Sequence, residues 1–448
     1  MKSPGFYCGM APVLALALVA TGWTTRAAAQ GQILEQQNSC FRCHRVIDER
    51  RFSDPVREYV TDIHFEKGLG CVVCHGGDST ILDRRRAKDR TKGYIGTPNR
   101  QDIPQLCGRC HSDARFMKRY NPSMRIDQVA EYATSVHGQR LVELGDEQVA
   151  TCTSCHTAHS IRPPSDPASS VHPLRVAETC GHCHADTTYM SAYDIPKDQL
   201  SEYRSSVHWK AMDEEGDLSA PTCNDCHGNH GAAPPGVEWI GNVCGQCHAV
   251  QQGLFDSSSH PAAFMLLGKP GCAGCHDNHA IHETDDEMLG TGSGSVCVEC
   301  HGPDDPEGQA AAGMRAMIEQ LKVERARSDS LLEMAEGAGL EVSQARFELE
   351  DATNAIVLAR ASTHSASVDS VKARVEAGLE VTSNAWQRGK GAFRDLRIRR
   401  IGLAVSSLLI VVLIAGIVMK IREFEGKSAL APRADEKADA KEAEGRHG

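Results

Sequence analysis

The chain has 448 residues and a formal net charge of −11. Its length allows two or three domains, and its acidity argues against nucleic acid as a partner and for docking to a basic or mixed surface. Aromatic residues make up only 5% of the chain, so the large flat apolar groups of an ordinary core are scarce.

Residues 1–29 read as a secretory signal: Lys2 near the start, an apolar run from Ala11 to Ala20, and Ala27-Ala28-Ala29 before Gln30 as a small-residue cleavage site. The run is too short to span a bilayer, which favours cleavage over an N-terminal anchor. Cys8 falls in this segment.

The next region carries the string Cys-x-x-Cys-His nine times. The copies are Cys40, Cys43 and His44; Cys71, Cys74 and His75; Cys107, Cys110 and His111; Cys152, Cys155 and His156; Cys180, Cys183 and His184. They continue with Cys223, Cys226 and His227; Cys244, Cys247 and His248; Cys272, Cys275 and His276; Cys297, Cys300 and His301. Together they use eighteen of the nineteen cysteines. Two thiols three apart can each add to one vinyl group of a haem, and the His that follows then binds the iron; this is the attachment signature of c-type haem. Zinc knuckles pair Cys-x-x-Cys units without needing a His after every second cysteine, and a redox dithiol does not need one either. The expectation is nine covalently attached haem c groups. At about 29 residues per motif, the haems themselves must form much of the core, and folding should be coupled to haem loading. Covalent attachment of this kind takes place outside the bacterial cytoplasm, in agreement with the signal.

The haem region is repetitive. Three blocks share a plan of His, then Cys-x-x-Cys-His-x-x-His, then a second Cys-x-x-Cys-His: from His137 to His184, from His208 to His248 and from His260 to His301. A looser block begins at His64 and covers Cys71 to His111, with Gly76-Gly77 in place of the x-x-His. The plan is one lone haem plus four doubled units. Pro163-Pro164, Pro234-Pro235 and the stretch Gly290 to Gly294 break any long helix, so the spacing predicts short helices carrying the motifs, loops between them, and almost no strand.

After Pro306 no proline recurs until Pro432. Met314, Ile318, Leu321, Leu332, Leu349, Ala352, Ile356, Val368, Val371, Val375 and Leu379 stand at three- and four-residue spacings, the pattern of amphipathic helices. Breaks at Gly337-Ala338-Gly339 and Ser362–Ser365 predict two or three long helices in a hairpin or bundle over 307–400. Ala-Gly-Leu-Glu-Val occurs at 338–342 and again at 377–381, a hint of paired elements. This region is read as a stalk, with a homo-oligomer contact or a lid over the haems as alternatives. Ile401 to Met419 is uncharged and long enough to cross a membrane. Arg394, Arg397, Arg399 and Arg400 precede it, and Lys420, Arg422 and Lys427 follow. Local charge does not choose an orientation, but an exported haem domain does, because large domains translocate regardless; the arginines then sit among lipid headgroups. Residues 420–448 read as a disordered cytoplasmic tail.

A haem with one protein ligand is open to small molecules, whereas one with two mainly moves electrons. Beyond the nine proximal histidines, ten more lie in or beside the region: His64, His137, His159, His172, His182, His208, His230, His260, His279 and His282. The count favours bis-histidine ligation throughout. His137, His208 and His260 head their blocks; His159, His230 and His279 sit one helical turn past a proximal His and should point to a neighbouring haem. His64 follows, then His172, His182 and His282; His364 is a weaker candidate. Met117, Met124, Met190 and Met212 are read as packing.

The pattern Cys152-x-x-Cys155-His156-x-x-His159 with Cys180-x-x-Cys183-His184, headed by Ser135-Val136-His137 and echoed by Ser206-Val207-His208, resembles the doubled-motif multihaem cytochromes, in the style of class III tetrahaem and membrane-anchored quinol-linked cytochromes. The resemblance covers roughly residues 40–301. A multihaem stretch before long helices is also similar in layout to the hydroxylamine-oxidoreductase and nitrite-reductase group, but the Cys-x-x-Cys-Lys motif found in some of those enzymes is absent here. The quinol-dehydrogenase type, unlike this chain, carries its anchor at the N-terminus. These readings combine into a mainly α, haem-packed cytochrome domain over 30–306, a helical stalk and a single C-terminal transmembrane helix. The expected function is single-electron transfer between a membrane quinol-oxidising or cytochrome b-type subunit and periplasmic redox proteins. An oxidoreductase acting on a small nitrogen or sulfur compound at one open haem is the alternative.

Overall fold

The computed structural model describes residues 38–231 and 240–429; the expected signal, Pro234-Pro235 and the end of the tail lie outside them. All regular structure among the described residues is helical. The chain divides into two compact units, one covering residues up to 252 with 260–284, the other 253–259 with 285 onward. Motifs one to eight therefore lie in the first unit, and the ninth shares its unit with the long helices.

The first unit holds many short helices. Most are too short to be stable alone, and their apolar residues are few: the one cluster that stands out is Phe41, Val56, Tyr59 and Phe65 around the first motif. The tilted Phe41–Phe65 rings lie 5.9 Å apart and the edge-on Tyr59–Phe65 rings also 5.9 Å, both ordinary aromatic packing.

In the second unit, α1 (Pro306–Gly337), α2 (Ser343–Ser362) and α3 (Val368–Ala429) pack on one another. Asp305 caps α1 and Pro306 opens it, a favoured pairing of cap and first residue. One cluster joins Met314, Ile318 and Leu321 of α1 to Ile356 and Ala359 of α2 and Val371 and Val375 of α3. A second joins Leu332, Leu349, Ala352 and Ala385. Leu321 and Leu332 are wholly buried, each contributing about 2–3 kcal/mol by area removed from water. The breaks fall where the glycines and the Ser362–Ser365 stretch predicted them. The two Ala-Gly-Leu-Glu-Val copies, however, adopt different structures. The first forms the turn between α1 and α2, with Gly339 at φ 75°, and the second lies inside α3. Tertiary packing decides between them: a Cβ on Gly378 would lie 2.8 Å from the Ala355 Cβ, so α3 approaches α2 closely there.

The apolar segment Ile401 to Met419 is the continuation of α3, exposed throughout. Its nineteen residues rise about 28 Å, close to the thickness of a hydrocarbon layer. One helix long and apolar enough to cross a membrane is thus present near the C-terminus. The helix runs on to Ala429, so residues 420–429 are helical rather than part of an extended tail.

Candidate functional site

A six-residue element precedes the second, fourth, sixth and eighth motifs: Tyr59-x-x-Asp62-x-His64, Tyr132-x-x-Ser135-x-His137, Tyr203-x-x-Ser206-x-His208 and Phe255-x-x-Ser258-x-His260. The first three tyrosine hydroxyls donate to the carbonyl two residues before the next Cys-x-x-Cys: Tyr59 to Leu69 at 2.6 Å, Tyr132 to Ala150 at 2.7 Å and Tyr203 to Pro221 at 3.0 Å. Burial pushes Tyr132 and Tyr203 up to about 12, and Tyr59 higher still, which keeps all three as donors. The fourth position of the element caps the turn that carries the His: Asp62 accepts from His64 N at 2.8 Å, Ser135 from Gly138 N at 3.0 Å and Ser206 from Trp209 N at 3.2 Å. These caps are buried, so each leading His is held by a fixed turn.

The even-numbered motifs form one-turn helices, Cys71–His75, Cys152–His156, Cys223–His227 and Ala273–His276. The residue after each proximal His turns left-handed: Gly76 at φ 67°, Thr157 at 63°, Gly228 at 75° and Asp277 at 66°. A glycine is at ease there, whereas a β-branched Thr is strained. This kink sends the x-x-His segment away from its own motif. Backbone bonds then dock that segment on a leading element of an earlier block: Ile63 N donates to Ile161 O at 2.8 Å and Val207 N to Ile281 O at 2.8 Å. Asp62 adds a 2.7 Å bond from Ile161 N.

Among the described residues, six pairs of imidazoles are seen to face each other. Ring centroids are 6.1 Å apart for His64–His111, 6.0 Å for His75–His159, 6.1 Å for His137–His184, 6.2 Å for His156–His230, 6.3 Å for His208–His248 and 6.0 Å for His227–His279. Every pair joins one motif histidine to one outside a motif. His159, His230 and His279 each face a motif other than the one they follow. The interplanar angle runs from 11° to 87° while the separation barely changes. Packing preference between rings couples distance to angle; a constant gap with free rotation behaves like a spacer of fixed length.

Burial lowers the pKa of His111, His137, His156, His159, His184, His208, His227 and His230. They are neutral, the form that offers a lone pair to a metal. Two further paired rings are held through their outer nitrogens: His75 Nδ1 lies 2.8 Å from Gly96 O and His64 Nδ1 2.9 Å from the buried Asp62 carboxylate. Such partners fix the ring and leave Nε2 to face inward.

The thiols link successive motifs. Cys40 and Cys71, Cys107 and Cys152, Cys180 and Cys223, and Cys244 and Cys272 lie close enough to shift one another's ionisation across motif pairs one–two, three–four, five–six and seven–eight. Within each pair one thiol is lowered by its neighbour, Cys223 to about 7 and Cys244 to about 6. The second cysteines are influenced by the following motif, Cys74 by Cys110, Cys155 by Cys183 and Cys226 by Cys244. Motifs one to eight are therefore neighbours in the order in which they occur in the sequence.

His44 Nδ1 is 3.2 Å from Phe52 O, and its ring meets that of Phe52 at 6.0 Å rather than another imidazole. His172 caps the helix Pro173–His184, its Nδ1 accepting from Leu174 N at 3.3 Å. His182 and His282 are exposed. His260 opens the helix His260–Leu267 with its ring 5.7 Å from Phe264. His276 ends its one-turn helix, and His364 Nδ1 lies 3.0 Å from Ala361 O in the turn between α2 and α3. His301 joins Asp305 and Glu307 in a group whose potential ligand atoms lie within 4.8 Å of one another. Asp305 there already accepts from Gly302 N and Gly308 N, so its carboxylate serves the α1 cap. Met117, Met190 and Met212 are buried and Met124 is exposed. The leading tyrosines and Asp62 are the site residues that motif reading passed over; their fixed offset of five and two residues before each leading His was the available signal. No protein-family model, curated protein or solved structure matches this chain.

Proposed function

We propose that this protein is a membrane-held multihaem c-type cytochrome that carries single electrons. The observation that carries the reading is the set of six imidazole pairs. Two imidazoles binding one metal from opposite sides place their centroids about 6 Å apart, from a metal–nitrogen bond of about 2 Å and a ring radius of about 1 Å on each side; the pairs lie at 6.0–6.3 Å. The nine Cys-x-x-Cys-His strings supply the thioether attachments, and the paired histidines supply both axial ligands. Haem held in this way exchanges electrons without binding substrate, and two imidazoles favour low potentials. The protein contributes spacing, neutral imidazoles and burial.

The mutual influence of thiols in consecutive motifs supports a linear route from the first motif to the eighth. The apolar continuation of α3 supports a single-pass anchor, with the haem region on the periplasmic face of a bacterial inner membrane. One isolated helix offers no quinone pocket, so a separate quinol-oxidising or cytochrome b-type subunit is the proposed donor, with periplasmic redox proteins at the other end.

The test is a haem count on protein matured with a c-type haem-attachment system, by alkaline pyridine spectrum and intact mass. Nine haems per chain, with a dominant low-spin spectrum, supports the reading; a zinc-loaded or disulfide-linked chain without haem overturns it.

A further inference from the structure

We infer that Asp62 is a positioning residue for His64 and that its carboxylate lowers the potential of the haem attached at Cys107 and Cys110. The inference rests on the cytochrome reading above and deepens it, since within that reading His111 and His64 are the axial ligands of this haem.

Asp62 is fully buried, and both of its oxygens are occupied. Oδ1 accepts from His64 N at 2.8 Å and lies 2.9 Å from His64 Nδ1, while Oδ2 accepts from Ile161 N at 2.7 Å. The Ile161 bond pins the carboxylate, so that its other oxygen stays against the ring. A carboxylate only accepts; Nδ1 therefore carries the proton, and Nε2 keeps the lone pair for a metal. No Lys or Arg among the described residues is paired with Asp62, so its charge is spent on the imidazole. A ring that donates to a buried carboxylate is a stronger base toward a metal than one that donates to a neutral carbonyl. Stronger donation favours the oxidised iron, which lowers the potential.

The arrangement sets His64 apart from the other paired rings. In the second and third blocks the place of Asp62 is taken by Ser135 and Ser206. Their hydroxyls donate to Tyr132 O at 2.7 Å and Tyr203 O at 2.6 Å, and among the described residues neither reaches the ring of His137 or His208. His75 has the neutral carbonyl of Gly96 at 2.8 Å. Glu202 stands 3.6 Å from His279 Nδ1 with a side chain 39% exposed, where solvent screens its charge. The turn is thus common to the blocks, whereas the buried anion behind the ligand belongs to the first.

The experiment is a potentiometric titration of the full-length haem-loaded protein followed by electron-spin resonance. The rings of His64 and His111 are crossed at 87°, against 16° for His75–His159, 11° for His156–His230 and 21° for His227–His279. Crossed ligand planes leave the iron π orbitals nearly equal in energy and give a strongly anisotropic low-spin signal, which marks this haem. Asp62→Asn keeps the size and removes the charge. It should raise the reduced-to-oxidised ratio of that signal at a fixed potential roughly tenfold, a midpoint shift of about 59 mV, and leave the other midpoints in place. Ser135→Ala, which removes a cap of the same element without removing a charge, should lower the melting temperature and move no midpoint. Unmoved midpoints in a nine-haem Asp62→Asn protein overturn the proposal and leave the cytochrome reading standing, whereas a parent chain without haem overturns both. A shift spread over all haems, one confined to a different signal, or one of equal size in Ser135→Ala also overturns it. Where Asp62→Asn takes up fewer than nine haems, Asp62→Ser is titrated in its place with the same shift expected; a deficit in both assigns Asp62 to folding alone and sinks the inference.

Discussion

Thr157 and Gly76 occupy the same place in the repeat and the same left-handed backbone state, with opposite consequences. At φ 63° Thr157 carries strain that a glycine would not, of about 1–3 kcal/mol, partly offset by the extra freedom glycine brings to the unfolded chain, about 1 kcal/mol. Thr157→Gly should therefore raise stability by about 1 kcal/mol, read as a higher midpoint in thermal melting followed by circular dichroism. Gly76→Ala should do the reverse, because an added Cβ meets Gly93 O at 1.9 Å; a loss above about 3 kcal/mol is expected, and an unchanged midpoint would contradict the described kink. The contrast explains what the motif strings left hidden. Cys-x-x-Cys-His and the x-x-His were legible as motifs, but the residues after the motif His, Gly, Thr, Gly and Asp, are not of one type. Their common feature is a dihedral angle, which becomes visible only once the chain is folded. The same holds for the partners of His159, His230 and His279: the sequence marks them as pointing away from their own motif, while the Ile63–Ile161 and Val207–Ile281 bonds that fix their direction span 98 and 74 residues.

At the scale of helices, the heptad-like apolar spacing of 307–400 was enough to foresee a bundle and its breaks, since amphipathic periodicity is a local property. The close approach at Gly378 was not, because the same pentapeptide serves as a turn at 338–342. Helix propensity alone says that Gly378→Ala should stabilise α3 by about 1 kcal/mol. Packing says the opposite: the new methyl would lie 2.8 Å from Ala355 Cβ and 2.7 Å from Leu321 Cδ2, and overpacking of this kind costs about 1–3 kcal/mol. The net expectation is a loss of about 1 kcal/mol in chemical denaturation followed by helical circular dichroism, and a gain would show that α3 stands further from α2. A second device of the bundle is electrostatic. Asp286 receives Arg360 Nε at 2.8 Å and Lys322 Nζ at 2.8 Å, tying its turn to α2 and α1. Those bonds hold its carboxyl down at about 2 against an ordinary 3.8. A depressed folded-state pKa stabilises above the ordinary value and loses that contribution as pH falls toward the folded one. Asp286→Asn should accordingly destabilise by about 1–2 kcal/mol at pH 7, with the difference from the parent shrinking between pH 4 and pH 2; a difference that grows on acidification would refute the clamp.

For the molecule as a whole, the two units differ in what holds them. The second has two apolar clusters, one with fully buried Leu321 and Val371 and one with fully buried Leu332 and Leu349, the kind of interior that folds on side-chain burial alone. The first is built from helices of three to twelve residues, below the length at which isolated helices persist, and its one small hydrophobic cluster lies against the first two motifs. Its histidine pairs stand with gaps of 6.0–6.3 Å between ring centroids. If the haems fill those gaps, ligation and ring burial replace the missing aliphatic core, and the unit's folding free energy is in large part its cofactor-binding free energy. Full-length chain produced without the haem-attachment machinery should then keep the circular dichroism and protease resistance of 306–429 while residues 40–284 become protease-sensitive and lose helicity. Limited proteolysis with mass mapping reads both units in one sample, each serving as the other's control. Equal protection of the two units in the haem-free chain would mean that the short helices are held by protein contacts alone, and the link between cofactor and fold would have to be abandoned.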